Sequence, residues 1–311
     1  MANNKRIELI LKNASALDLK VKKLSWGELY YDRLVDFRIS INLFGEIVTG
    51  TGIDCNEDMA FLKAFSEAVE RSYCKKLNLR SHGVSAHWSK EEAINCSKNE
   101  LIERDIFLCH FLTGTAARRI QNDEVIRLNS ILSEKSGRLK VYELTMLNGR
   151  HVILAVGEKG HIGSVIGVAA NKKYELAVEK SILECLSRLD FELNNTENLL
   201  VREHLVDPID HYNYHLMNRS LQDTDFIKKS SFSKSVSESD QGLEFSWEQI
   251  GNLGELIKEL EIYVIKGSSS DLQATYYGEL SPSVVNFSRL SNFLGQAVNF
   301  DGVEKLAHPI G

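Results

Sequence analysis

The sequence predicts an α+β protein, in which amphipathic helices accompany mixed and antiparallel sheets. One helical phrase occurs three times, as AFLKAFSEAVERSY from residue 60, AINCSKNELIERDI from residue 93 and AVEKSILECLSRLD from residue 177. Alternating apolar residues predict strands over residues 37–49, 125–132, 139–147 and 151–157. The Asn148-Gly149 pair between the last two runs predicts a tight hairpin.

The remaining elements follow from shorter signals. The TGTG run at residues 49–52 predicts a turn after the first strands, and residues 162–169 predict a strand or a turn. Ser89 with Glu92 forms a capping box that starts the second phrase. Residues 245–261 predict a helix, which a strand over residues 262–267 follows.

No change in composition divides the chain, so we expect a single domain over residues 1–311. The Ser-rich segment 230–242 has few large apolar residues and predicts a mobile loop within that domain.

Composition excludes several classes of protein. The formal net charge of −6 argues against broad nucleic-acid binding, and no apolar run is long enough to predict a membrane span. The five cysteines form no CxxC pair, so neither a disulfide framework nor a structural zinc site is expected. We interpret the chain as cytoplasmic.

The repeated phrase carries the strongest chemical signal. In each copy a Glu follows the Ala by seven residues, and an Arg follows that Glu by four. Two copies add a second Glu, which gives the sets Glu67/Glu70/Arg71 and Glu100/Glu103/Arg104 on single helix faces. Solvated Glu–Arg pairs are the simple interpretation, worth about 0.3–0.5 kcal/mol each. However, one Arg cannot neutralise two carboxylates among apolar residues, and the residual charge suits Mg²⁺ together with substrate phosphates.

Two other patterns have less specific interpretations. GEIVTGTG (45–52) has the glycine spacing of a phosphate loop, but Thr51 stands where the Lys should be, so a P-loop NTPase is not expected. A tight hairpin turn and a nucleotide-contacting turn are both open there. His82, His87 and His110, and the pair in DHYNYH (210–215), are interpreted as structural or surface histidines.

Several separate pieces of the chain resemble the YcaO family of ATP-dependent enzymes. SEAVERSY resembles the family's first ATP/Mg motif, and SHGVSAHWSKEEAINCSKNELIERDIF resembles its most specific signature. GVAANKKYELAVEKSILECLSRL resembles a third motif of the family. VDPIDHYNYHL, DLQATYYG, VNFSRL and the terminal HPIG resemble parts of the azoline-forming branch.

The resemblance implies a single large YcaO-like domain whose helices line a central nucleotide site. It also implies that a Cys, Ser or Thr side chain of a ribosomally made precursor peptide attacks the preceding amide carbonyl. ATP then phosphorylates the amide oxygen, and phosphate leaves as the thiazoline or oxazoline ring forms. The implied cofactors are therefore ATP and Mg²⁺.

The family motifs also imply roles for the repeated glutamates. Glu67 and Glu70 would contact Mg²⁺ or the nucleotide, and Arg71 would orient them. Glu184 would act in the same way from the third phrase.

Three candidates lie near the C-terminus. Arg202 and Arg289 would contact phosphate, the former as a catalytic residue. The terminal carboxylate of Gly311 would act as the catalytic base or as a positioning group.

The chain departs from the family pattern at several positions. Thr51 replaces a Lys, Ser187 replaces a Gln, and Lys63 and Ala64 replace the usual neighbourhood of a Ser. Thr51 and Ser187 are nevertheless counted among the nucleotide-binding positions. Pro309 stands where the family has two or three prolines.

The resemblance further implies partners. These are the precursor peptide, a leader-peptide-binding, E1-like partner protein and a flavin-dependent dehydrogenase, as in bacteriocin biosynthesis, with a homodimer as an open arrangement. Two alternatives stay open: a thioamide- or amidine-forming YcaO enzyme, and a degenerate scaffold subunit that binds partner or peptide without turnover.

Overall fold

A computed structural model describes residues 2–25, 34–133, 137–159, 162–189, 225–233, 235–239, 243–273 and 285–296. The chain forms two compact units. Unit 1 comprises Met1–Leu101 with Phe245–Ser269, and unit 2 comprises Ile102–Glu244 with Ser270–Gly311. No helix in the described part of the chain is both long enough and apolar enough to cross a membrane.

Helices and strands alternate along the chain, which confirms the α+β prediction. The helices are α1 (Ala2–Lys12), α2 (Glu57–Lys76), α3 (Lys90–Thr113), α4 (Asp123–Ser133), α5 (Tyr174–Leu189), α6 (Asp225–Lys228) and α7 (Phe287–Leu294). The strands are β1 (Lys20–Ser25), β2 (Val35–Asn42), β3 (Ile47–Asp54), β4 (Val84–His87), β5 (Arg118–Ile120), β6 (Gly137–Glu143), β7 (Met146–Leu147), β8 (His151–Lys159), β9 (Ile162–Asn171), β10 (Glu238–Ser239), β11 (Ser246–Asn252) and β12 (Tyr263–Ser268).

Unit 1 contains two antiparallel sheets, in the orders β1-β2-β3 and β11-β12-β4. Helix α2 packs against the first sheet so closely that a Cβ on Gly50 would lie 2.2 Å from the Ala64 carbonyl oxygen. A Cβ on Gly52 would lie at the same distance from the Ala60 carbonyl oxygen. Small residues on both elements therefore bring the helix axis close to β3, and buried side chains such as Phe65 fill the core around them.

Unit 2 is built on a four-stranded antiparallel sheet in the order β5-β6-β8-β9. Helix α5 packs on β8 and β9, and α4 packs on β6. Gly167 on β9 repeats the close approach, because a Cβ there would lie 2.1 Å from the Ser181 carbonyl oxygen.

A buried ion pair fixes α7 against α3 in unit 2. Asp105 and Arg289 have side chains only 0% and 1% exposed, and Arg289 Nη2 lies 2.5 Å from Asp105 Oδ2. The Gln273 N–H donates to the same carboxylate at 2.6 Å. The carboxylate is thus fully compensated, as a buried charge requires.

The three phrases form α2, α3 and α5, as predicted. The Asn148-Gly149 hairpin is confirmed, with φ values of +50° and +65° and reciprocal backbone bonds between Leu147 and Arg150. Residues 162–169 lie in strand β9.

Two element predictions are wrong. Residues 125–132 form α4 rather than a strand, because Asn122 caps the helix and Val125, Leu128 and Leu132 are buried at helical spacing. Residues 245–261 form β11 and one 3₁₀ turn (Leu253–Glu255) rather than a helix. A Cβ added to Gly251 would lie 2.0 Å from the Tyr73 ring, so the ring packs directly against the backbone of this strand. The strand is therefore determined by packing rather than by local propensity.

The predicted turn at residues 49–52 is also wrong. These residues lie inside β3, and the chain reverses earlier, around Gly45 with φ of +84°. The glycines of the TGTG run therefore serve helix packing, so no hairpin turn lies there, and a nucleotide contact by this segment stays a prediction.

The helix start at Ser89 follows only half of a capping box. The Ser89 Oγ accepts from the Glu92 N–H at 3.4 Å, but the Ser89 N–H donates to Nδ1 of His87 rather than to Glu92.

The Ser-rich segment 230–242 is partly described. Ser231 forms an isolated parallel β-bridge with Arg118, and strand β10 (Glu238–Ser239) pairs in parallel with β7. Mobility of this segment stays a prediction, and so does a single folding domain over residues 1–311.

Candidate functional site

Glu67 of α2 lies at the open edge of β3, the outer strand of its sheet. Its Oε2 accepts hydrogen bonds from the Thr51 N–H at 2.5 Å and from the Thr51 hydroxyl at 2.9 Å. The side chain is 29% exposed, so the carboxylate is held by the strand and still reaches solvent. Thr51 thus positions a glutamate of the repeated phrase.

Arg71 completes the same edge. Its Nη2 lies 2.7 Å from Glu67 Oε1, and its Nη1 donates to the Thr49 carbonyl oxygen at 2.7 Å. The Glu–Arg pair therefore offers β3 one acceptor and one donor, as a neighbouring strand would. Arg71 thus contacts both the Glu67 carboxylate and the backbone of β3, and its role in orienting ligands of Mg²⁺ or the nucleotide stays a prediction.

Unit 2 contains a related arrangement at the open edge of β9. Glu184 of α5 accepts from the Val168 N–H at 3.1 Å, and Glu103 of α3 accepts from the Ala170 N–H at 3.2 Å. Because these N–H groups are two residues apart on one strand, the two carboxylates lie about 7 Å apart. Helices α3 and α5 therefore present two half-buried carboxylates along one strand edge.

The arrangements around Glu67 and Glu184 are internal repeats of one module. In each, the strand residue and the glutamate it bonds are separated by 16 residues. In each, the preceding residue is a glycine that abuts helix backbone, Gly50 or Gly167. The phrase repeated in the sequence is therefore a strand-plus-helix module repeated in the structure.

Glu70 lies in a charged cluster of unit 1 around the buried thiol of Cys74. Burial first, and then the carboxylates of Glu70 and Glu100, raise the pKa of Cys74 to about 12, against the lowering effect of Lys266 and Arg71. The first and second phrases thus bring carboxylates to the same thiol.

Other predicted site residues have different surroundings. The Ser187 hydroxyl donates to the Glu184 carbonyl oxygen at 2.7 Å, within its own helix. Arg289 holds the buried Asp105, so its guanidinium already has a carboxylate partner, and a phosphate contact by Arg289 stays a prediction. Arg202 and Gly311 lie outside the described residues.

The site residues implied by the family motifs did not include Glu103, which the sequence pattern had only grouped with Glu100 and Arg104, and the sequence did not single out Lys266. Glu103 occupies the position in the second phrase that Glu70 occupies in the first, so the alignment of the phrases could have identified it. Lys266 has no local motif, and only the packing of β12 brings it near Cys74.

The histidine near the second phrase is structural, as interpreted. His110 is 1% exposed; its Nδ1 lies 2.6 Å from the Thr115 carbonyl oxygen and its Nε2 3.1 Å from the Thr145 hydroxyl. The pair at residues 211 and 215 lies outside the described residues.

The donor set fits a magnesium–nucleotide complex better than a dedicated metal cage. In the described part of the chain, no group of three or more His, Cys, Asp or Glu side chains is arranged to hold a metal ion. Mg²⁺ commonly takes one or two protein carboxylates and completes its shell with phosphates and water. Half-buried glutamates on strand edges satisfy that requirement.

Solved structures of low sequence identity share this fold. YcaO from Methanopyrus kandleri, bound with AMPPCP and Mg²⁺, aligns with a TM-score of 0.64 at 14% identity, covering 91% of this chain and 96% of that chain. A subunit of the E. coli microcin synthetase McbBCD complex with pro-MccB17 bound gives 0.60 at 13% identity, over 94% and 96%.

A heterocyclase in complex with substrate and cofactor gives a TM-score of 0.63 at 12% identity over 86% of this chain. This chain spans about half of that protein, 52% of its length. No curated protein sequence matched the chain.

The similarity to solved structures shows the fold alone, whereas a match to a family model shows the family. Residues 75–265, more than half of the chain, match the family described as YcaO cyclodehydratase, ATP- and Mg²⁺-binding. That description confirms the expected cofactors, ATP and Mg²⁺. The chain belongs to the YcaO cyclodehydratase family.

Proposed function

We propose that this chain is an ATP-dependent cyclodehydratase subunit that converts Cys, Ser or Thr residues of a ribosomal precursor peptide into azolines. The observation that carries the proposal is the repeated module, in which Glu67 and Glu184 are fixed on the N–H groups of outer strands. In a family that binds ATP and Mg²⁺, such preorganised carboxylates suit a metal–triphosphate complex.

In this proposal Glu67 and Glu70 contact Mg²⁺ or the nucleotide, and Glu184 of the third phrase has the same role. Mg²⁺, when bound, neutralises phosphate charge as the phosphoryl group moves. Thr51 and Arg71 keep the Glu67 carboxylate in one orientation, because three hydrogen bonds restrain it. Positioning and charge compensation are the main requirements of phosphoryl transfer.

Activation of the amide oxygen gives the reaction its driving force. An amide oxygen leaves poorly, whereas phosphate leaves readily, so phosphorylation makes ring closure with loss of water feasible. The solved complexes with a substrate and with pro-MccB17 support a peptide substrate and partner subunits here. The leader-binding E1-like protein, the flavin-dependent dehydrogenase, the homodimer and the cytoplasmic location stay predictions.

The test is ATP consumption and peptide mass change with precursor peptide and partner present. We expect a loss of one water per ring and a fall of at least about 100-fold in rate for a Glu67→Gln/Glu70→Gln variant. Glu57→Gln is the matched control, because Glu57 lies on the same helix and pairs with Lys23 at the surface. Undiminished turnover in the double variant would contradict the site assignment.

The same assay separates the alternatives. A mass increase from exchange of oxygen for sulfur would identify thioamide formation, and ring formation would exclude it. A scaffold role is favoured by Ser187, which bonds within its own helix instead of adding a second anchor beside Glu184. Calorimetry with Mg²⁺ and ATP decides this, because tight nucleotide binding argues against a scaffold.

A further inference from the structure

A buried carboxylate in unit 2 orients a histidine. Glu143 of β6 has a side chain only 3% exposed, and its Oε1 lies 3.0 Å from Nδ1 of His151 on β8. Its other oxygen, Oε2, pairs with Nη2 of Arg118 on β5. The three residues come from neighbouring strands, in which Arg118 lies opposite Glu143 and Glu143 lies opposite Ile153.

This environment determines the tautomer of His151. A carboxylate is only an acceptor, and the second oxygen of Glu143 pairs with the Arg118 guanidinium. Nδ1 of His151 must therefore carry the proton that is shared with Glu143. The neutral imidazole then has its lone pair on Nε2, and the side chain is 24% exposed, so a substrate group can reach it.

Tyr174, the first residue of α5, fixes the other side of the imidazole. Its ring meets the His151 ring edge-to-face with centroids 5.3 Å apart. The Tyr174 hydroxyl is hydrogen-bonded to Arg118. Burial and then the charge of Glu143 raise the pKa of Tyr174, so the phenol stays neutral. Glu143 and Tyr174 thus restrain the histidine directly, and Arg118 holds both of them.

The histidine lies beside the carboxylates of β9. His151 pairs with Asn171, the residue that follows Ala170, whose N–H holds Glu103. With adjacent strands about 4.8 Å apart, the imidazole lies on the order of 10 Å from Glu103. The strand register therefore places the histidine on the strand next to the one that holds Glu103.

We propose that His151 is the general base that takes the proton from the Cys, Ser or Thr nucleophile, with Glu143 as its positioning residue. The inference rests on the proposed cyclodehydratase function and assigns a role to residues that the family motifs in the sequence did not include. A carboxylate that orients imidazole and stabilises imidazolium is a recurrent solution for activating weak nucleophiles.

The step balances as follows. The nucleophile's S–H or O–H bond breaks, its proton moves to Nε2, and its electron pair forms the bond to the amide carbon. The carbonyl π pair moves to the amide oxygen, which then takes the γ-phosphoryl group of ATP as the bond to ADP breaks. Loss of the amide N–H proton and departure of phosphate then complete the ring. Imidazolium, stabilised by Glu143, passes its proton to water through its exposed side.

The experiment measures ring formation by mass spectrometry with partner and precursor peptide. His151→Gln retains a donor toward Glu143 but has no base, and we expect a fall of about 100-fold or more with Mg²⁺–ATP affinity unchanged. His151→Ala should lose as much and regain part of its rate with added imidazole. Glu143→Gln should lose about 10-fold. His87→Ala in unit 1 is the matched control.

The outcomes separate the two proposals. If wild type forms no rings, the proposed function fails and this inference fails with it. If wild type forms rings and His151→Gln does so at the same rate, only the general-base role is overturned. A slow His151→Ala that imidazole does not rescue, or one whose ATP affinity falls equally, indicates a structural role and also overturns it.

Discussion

The β3–α2 and β9–α5 modules share one backbone arrangement but differ in the side chains around their glutamates. Both place a glycine against helix backbone and a glutamate against the next strand N–H, with the same 16-residue separation. In the first module Thr51 adds a hydroxyl and Arg71 adds a guanidinium to the glutamate. In the second, Val168 has no hydroxyl, and a second carboxylate, Glu103, lies on the same strand edge.

The comparison separates the residues that pack the helix against the strand from those that determine the charge around each glutamate. The glycine contact sets how closely helix and strand approach, so it is shared. The groups around each glutamate set local charge, so they diverge: the first edge has a compensated carboxylate and the second has two carboxylates.

The largest expected effect tests the shared architecture. Gly50→Ala and Gly167→Ala each place a Cβ within 2.2 Å of a helix carbonyl oxygen, where backbone must shift. We expect each to lower the free energy of unfolding by about 3 kcal/mol, measured by urea denaturation. Gly137→Ala is the control, since its nearest neighbour is 3.2 Å away. A tolerated Gly167→Ala would break the equivalence of the modules.

The second effect tests the chemical divergence. We expect Glu184→Gln and Glu103→Gln each to weaken Mg²⁺–ATP binding by about 10- to 100-fold, because each removes half of the charge on the β9 edge. Glu175→Gln is the matched control, on an exposed position of the first turn of α5. Equal affinity of Glu103→Gln and wild type, by calorimetry, would remove Glu103 from the site.

The third effect tests whether the β3–α2 module tolerates the residue type that the β9–α5 module has at the equivalent position. Thr51→Val removes one of the hydrogen bonds to Glu67 and makes the first strand resemble the second. We expect a loss of about 1 kcal/mol in the free energy of unfolding, since the Thr51 N–H still holds the carboxylate. Thermal unfolding measures it, with Thr113→Val as a control for loss of a hydroxyl elsewhere. A loss above 3 kcal/mol would mean that the hydroxyl belongs to the architecture.

The smallest effect concerns the thiol beside the first module. Because the pKa of Cys74 is raised from 9.0 to about 12, its thiolate fraction at pH 8 is small, and iodoacetamide should label exposed Cys55 first. The native thiol holds its proton where the unfolded thiol has lost it, so Cys74 lowers stability as pH rises from 9 toward 12.

Cys74→Ala should flatten that alkaline decline when denaturation is followed between pH 8 and 10. Mass mapping of the labelled peptides checks the order of reaction. Rapid labelling of Cys74 in the native protein would contradict the burial of its thiol, which is the main cause of the raised pKa.

Some features followed from the sequence alone. The phrase of Ala, Glu and Arg at fixed spacing predicted α2, α3 and α5, because helical periodicity is a local property. Asn148-Gly149 predicted its hairpin, because positive φ at two successive residues needs that chemistry. Charge that one arginine cannot balance indicated Mg²⁺ with substrate phosphates at the glutamates of the phrase, and the resemblance to the YcaO family implied ATP.

Other features were decided only by tertiary structure. Residues 245–252 form a strand because they pair with β12 and because Gly251 fits under Tyr73, which no local pattern encodes. Glu103 joins Glu184, and His151 joins Glu143, because strand registers bring distant residues to one edge or one face. Helical phrases are determined over a few turns of chain, whereas a site depends on which N–H groups a sheet leaves at its edge.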